Sequence, residues 1–104
     1  MLSLEPFKTI ITTADANAKK YKGDDTGNYT TWTPKDLKRL WSEGEIEDEY
    51  WLVDVERWTL IDPDPIVAAI ETALKTAGIP FTYQVEYDRD TEYLQHIFSC
   101  IVRN

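Results

Sequence analysis

The hydrophobic pattern of this chain changes period repeatedly between Tyr50 and Val102, and that alternation limits the folds open to it. From Tyr50 to Ile61, Trp51, Val53 and Val55 alternate with Leu52, Asp54 and Glu56 at the two-residue period of a strand, and Trp58, Leu60 and Ile61 extend the run. The period then becomes helical: Asp64 is placed as N-cap and Pro65 at the first helical position. Ile66, Val67, Ile70, Ala73, Leu74 and Ala77 form one stripe, and Gly78 is the stop. Phe81, Tyr83, Val85 and Tyr87 return to strand period, and Asp88-Arg89-Asp90-Thr91 turns the chain into a last apolar segment. Leu94, Ile97, Phe98 and Ile101 also fit helical spacing. The β-branched pair Ile101-Val102 and the preceding strand favour pairing, with apolar residues on both faces of a central strand.

The N-terminal half reads as two helices. Phe7, Ile10, Ile11, Ala14, Ala18 and Tyr21 recur at steps of three and four behind Pro6, with Lys19, Lys20 and Lys22 in the last turn, Gly23 as stop and residues 24–28 as a turn. Thr9, Thr12 and Thr13 keep a short strand over residues 7–12 as the competing reading. A second helix is predicted from a Thr33 cap, Pro34, Asp36 in a capping-box-like pair, the stripe Leu37, Leu40 and Trp41, and Gly44 as terminator. The expected fold class is α+β in a single domain over residues 1–104: a small antiparallel sheet of three or four strands with two or three helices packed mainly on one face.

At 104 residues and 42% hydrophobic content the chain suits one modest core. Cys100 is the sole cysteine, which excludes an internal disulfide and points to a reducing, cytoplasmic setting. No basic leader precedes a long apolar run, and no segment approaches the roughly 20 apolar residues of a membrane span, so neither export nor a membrane partner is expected.

Charge is distributed unevenly. Residues 43–64 hold Glu43, Glu45, Glu47, Asp48, Glu49, Asp54, Glu56, Asp62 and Asp64 against Arg57 alone, a balance of −8 that equals the net charge of the whole chain. Trp41, Tyr50, Trp51 and Trp58 are interleaved with them, and carboxylates beside amphipathic rings suit an interface with a basic partner. A solvated acidic loop beside core tryptophans is the plainer alternative. Direct nucleic-acid binding is disfavoured: the basic clusters are Lys19-Lys20-Lys22 and Lys35-Lys38-Arg39, at predicted helix positions facing solvent.

Chemistry-bearing constellations are sparse. On a strand, His96 and Cys100 share a face about 13 Å apart, too far for proton transfer, and no third orienting group is evident. Asp54 and Glu56 with Asp62 and Asp64 are the candidate divalent-cation carboxylates, although Asp64 has a capping role and no lysine follows Asp54-Val55-Glu56-Arg57. Asn28-Tyr29-Thr30 matches a glycosylation sequon that has no export signal to serve it. No cofactor or catalytic residue is assigned.

The leading expectation is a non-enzymatic acidic protein that occupies a basic surface of another macromolecule, such as the nucleic-acid-binding face of a nuclease or defence complex. Phage and mobile-element inhibitors provide the comparison, by size and charge alone. Its expected contact set is Glu45, Glu47, Asp48, Glu49, Tyr50, Trp51, Asp54, Glu56 and Trp58. The second expectation is a structural or assembly subunit, for instance of a phage particle, that self-associates through aromatic surface; the third is a carboxylate-dependent metalloenzyme.

Overall fold

The structure is a computed structural model that describes residues 3–22 and 27–103. In chain order the elements are α1 (Glu5–Ala14), β1 (Lys19–Lys20), β2 (Tyr29–Ser42), β3 (Glu45–Thr59), α2 (Pro65–Thr76), β4 (Phe81–Tyr87) and β5 (Leu94–Val102). They form an α+β fold with a five-stranded sheet ordered β1-β2-β3-β5-β4. This corrects the expected three or four antiparallel strands: the sheet has five and is mixed, because the two-residue β1 pairs in parallel with β2.

The C-terminal half follows its sequence pattern. The Asp64 carboxylate accepts from the Ile66 backbone N–H at 2.9 Å and caps α2 behind Pro65, and Gly78 takes a φ of +69° beyond the last turn. β4 and β5 pair antiparallel, and β5 lies inside the sheet between β3 and β4.

The predicted second helix is instead β2. Glu43 and Gly44, with φ of +52° and +83°, form a two-residue turn of the type that matches strand twist, so the glycine that resembles a helix terminator closes a hairpin. A helix of one short stripe is marginal by itself, whereas residues 29–42 gain a long antiparallel ladder against β3, interrupted at two bulges. Pro34 is accommodated beside a bulge, where Pro34 pairs with Val53 and Asp36 with Leu52, leaving Lys35 as the extra residue. β3 accordingly begins at Glu45, earlier than the expected Tyr50.

Helix α1 is also shorter than its periodicity suggests. It ends at Ala14 because Asp15 is extended and its carboxylate accepts from the Asn17 N–H at 3.0 Å; Ala18 and Tyr21 lie outside it, and Lys19 and Lys20 are in β1. Its threonines are tolerated because Thr9, Thr12 and Thr13 donate to carbonyls of the preceding turn at 2.8–3.2 Å. The predicted Gly23 stop and most of the turn after it lie outside the described residues.

Phe7 and Ile11 of α1 and Ile70 and Leu74 of α2 join Trp32, Val53, Val55, Phe98, Cys100 and Val102 in one buried cluster. Register explains why these strand residues meet: Val53 pairs with Cys100, and Val55 with Phe98 and Trp32, so their side chains share one face of the sheet. Phe7 meets the Trp32 indole edge-on at 5.9 Å between centroids.

One polar interaction joins the layers. Arg57 on β3 is buried among this same set of side chains; its Nε donates to the Asp64 carboxylate at 2.9 Å, and its Nη1 reaches Asp15 at 3.5 Å and Thr30 Oγ1 at 3.3 Å. The end of α1, the start of α2 and β2 therefore converge on one guanidinium. Burial, the strongest influence, raises the pKa of Asp64, but hydrogen bonds from Arg57, the Ile66 N–H and Thr59, with the charge of Arg57, outweigh it and hold the pKa below the ordinary carboxylate value. Replacing Arg57 with Leu strands buried carboxylates, and the expected loss of stability is about 3–5 kcal/mol in urea denaturation followed by tryptophan fluorescence. A loss below about 1 kcal/mol would show that the network is not structural.

Candidate functional site

Beyond the Trp51–Val102 pair, β3 has no partner but β2 among the described residues, so residues 36–42 and 45–50 leave the sheet as a two-stranded arm. The arm helps give the molecule extents of 51 × 26 × 21 Å. Isolated hairpins are marginal in water, and side chains brace this one: Arg39 Nε donates to Glu49 at 2.8 Å, Arg103 Nη2 to Asp48 at 3.2 Å, and the Arg103 guanidinium lies 4.6 Å from the Tyr50 ring centroid. A second bulge leaves Glu47 as an extra residue, since Leu40 pairs with Asp48 and Trp41 with Ile46. The tip is apolar and exposed, with Trp41 62%, Leu40 55% and Ile46 45% accessible, surrounded by Glu43, Glu45 and Glu47.

The nine residues of the expected contact set do not lie on one surface. Alternation along β3 puts Asp48, Tyr50, Asp54, Glu56 and Trp58 on the face away from the helices, where Gln95 donates to Glu56 at 3.2 Å and Trp58 stacks on Tyr29 at 6.1 Å. Trp51 lies on the opposite face, packed against the core, and Glu49 is paired with Arg39. Glu45 and Glu47 belong to the exposed tip. The tryptophans divide similarly: Trp32 is core, Trp51 and Trp58 are half-buried, and Trp41 is exposed. Trp41, outside the expected contact set, is the most exposed of the four, although its spacing in the sequence suits a helix stripe.

The carboxylates considered for a cation do not converge. Asp54 and Glu56 point from the open face, while Asp64 is bound to Arg57 on the other; no group of three His, Cys, Asp or Glu suited to a metal occurs among the described residues. Cys100 is buried, and its thiol is pushed up to about 12 by burial and then by Asp54. Its Sγ donates to the Phe98 carbonyl at 3.6 Å, the arrangement of a packing residue. Asn28 of the sequon accepts from the Leu60 N–H at 2.9 Å, and Thr30 is fully buried.

His96 pairs in register with Arg57 and Val85, and its Nδ1 lies 2.6 Å from Tyr83 Oη, while its buried Nε2 has no partner among the described residues. Burial lowers its pKa, outweighing the opposite influence of Asp64 and Asp62, and Arg57 adds to the lowering. Between α1 and α2 runs a groove of about 670 Å³, lined by Ile10, Ala14, Ala69, Ala73 and neighbouring small residues. No helix among the described residues is long and apolar enough to cross a membrane.

No family model matches the chain, and no curated protein matches it. A chain in a solved structure titled "Virion of native gene transfer agent (GTA) particle" is similar in fold: the TM-score is 0.63 at 11% identity, over 89% of this chain and 82% of that one.

The titration of His96 has a definite sign. With its folded-state pKa depressed, the unfolded chain binds the proton more readily, so the contribution is intact above about pH 6.5 and is lost as pH falls toward the folded-state value. Because His96 is the sole histidine, the melting temperature is expected to fall between pH 7.5 and 5.5 in the parent chain and to change less in His96→Gln. Equal pH dependence in both proteins would contradict the assignment.

Proposed function

We propose that this chain is a structural subunit of a phage-like particle and associates with neighbouring copies through the arm. The observation that carries this reading is the arm itself: two strands projecting from a packed body and ending in an exposed tryptophan, leucine and isoleucine. Trp41 and Ile46 lie opposite each other in the ladder, and exposed apolar side chains with a charged rim are a usual mark of an interaction surface. The fold shared with a chain found in a gene transfer agent particle supports a particle role over an enzymatic one. On this reading the chain uses no cofactor, and its partner is protein.

A second reading has a specific observation in its favour. Asp54, Glu56, Tyr50 and Trp58 share the uncovered face of the sheet, so an acidic, ring-bearing surface exists for a basic macromolecule such as a nucleic-acid-binding protein. There the chain is an inhibitor that works by steering and competition, acting from the cytoplasm as a monomer.

Light scattering after gel filtration separates the two. The assembly reading expects a mass that is a multiple of 12.1 kDa, reduced to 12.1 kDa in Trp41→Ser with Ile46→Ser while far-ultraviolet circular dichroism is retained. A parent protein that is monomeric across the accessible concentrations overturns it.

A further inference from the structure

We infer that the arm tip of one copy seats on the lysine-bearing edge of a second copy, beside β1. This rests on the assembly reading and names the surface that receives the arm.

The two surfaces are opposite in charge and alike in having an apolar centre. On the tip, Trp41 and Ile46 face each other across the hairpin, and Glu43, Glu45 and Glu47 surround them with no ion pair among the described residues. On the edge, Lys8 of α1 with Lys19 and Lys20 of β1 border a cleft of about 330 Å³, completed by Ala18, the margin of Trp32 and one carboxylate, Glu5. These three lysines are exposed and likewise carry no ion pair among the described residues. Lys20 Nζ lies 5.2 Å from the ring centroids of both Trp32 and Tyr21, and Tyr21 is 63% accessible, so the basic edge also offers a flat ring to an incoming indole. The groove between the helices offers no such complement: its lining is neutral, and Lys75 of α2 is already paired with Glu71 at 3.0 Å.

Distance makes the contact intermolecular. β1 pairs with β2 at Thr31 and Trp32, nine residues before Trp41, so tip and edge are about 30 Å apart along the same strand. The paired strands run away from β1 and do not bring the tip back over that span. Because the two patches differ, the contact is head-to-tail, and repetition closes a ring or extends a filament according to the rotation between neighbours.

Charge reversal tests where the copies touch, separately from whether they associate at all. Glu45→Lys with Glu47→Lys makes the tip basic, and Lys19→Glu with Lys20→Glu makes the edge acidic; all four positions are exposed. Each variant alone sets like charges against each other, and a roughly tenfold or greater weakening of self-association is expected by light scattering, with circular dichroism unchanged. Mixed one to one, the basic tip meets an acidic edge and the acidic tip a basic edge, so large species are expected to return. If the parent assembles but either variant assembles as well as the parent, or mixing fails to restore assembly, the tip-to-edge contact is wrong and the assembly reading survives. A monomeric parent removes both.

Discussion

The two helices and the sheet are tied together by a buried cation. Arg57 sits where β3 passes beneath both helices, and the groups that receive its hydrogen bonds are Asp15 just beyond α1, Asp64 at the cap of α2, and Thr30 on β2. Burying a charge is costly unless it is paired and hydrogen-bonded, so these partners have little freedom to be elsewhere. Asp15 ends one helix and Asp64 begins the other, and the guanidinium ties both ends to β3. The apolar cluster of Phe7, Ile11, Ile70 and Leu74 then packs on the strand side chains on that face.

With one end of the sheet fixed in this way, the other end is free to project. β2 and β3 outrun β5 beyond Trp51, and neither helix follows them. Such an arm contributes little to the core, yet it keeps Trp41 and Ile46 in solvent at a cost in apolar exposure. Arg39, Arg103 and Tyr50 brace it, which argues that its direction is specified. A body with a rigid, apolar-tipped, acid-rimmed arm and a basic edge has the parts needed for directional association.

The parts of this fold that were legible in the sequence are those where local signals and tertiary packing agree. Asp64-Pro65 and Gly78 delimit α2 because capping and backbone geometry act locally there, and the alternation from Phe81 to Tyr87 has one physical solution. Residues 34–44 misled because their local signals conflict with their partner: Pro34, Leu37, Leu40, Trp41 and Gly44 fit a helix, but the strand character of β3 requires a neighbour, and Glu43-Gly44 supplies the turn that delivers one. The same conflict hid the candidate site. A charge count along the chain cannot assign side chains to faces; period-two alternation puts Asp54 and Glu56 with Trp58, and Trp51 on the other side. The five-stranded order was equally out of reach, since β1 is two lysines long and has no pattern of its own.

Contact between the arm tip of one copy and the lysine edge of another can be read by zero-length carbodiimide coupling of a one-to-one mixture of ¹⁴N- and ¹⁵N-labelled protein. Mixed-isotope cross-links are expected from Glu45 or Glu47 to Lys8, Lys19 or Lys20. Assembled protein whose mixed-isotope cross-links bypass these residues, or whose tip carboxylates couple only within one chain, would contradict it.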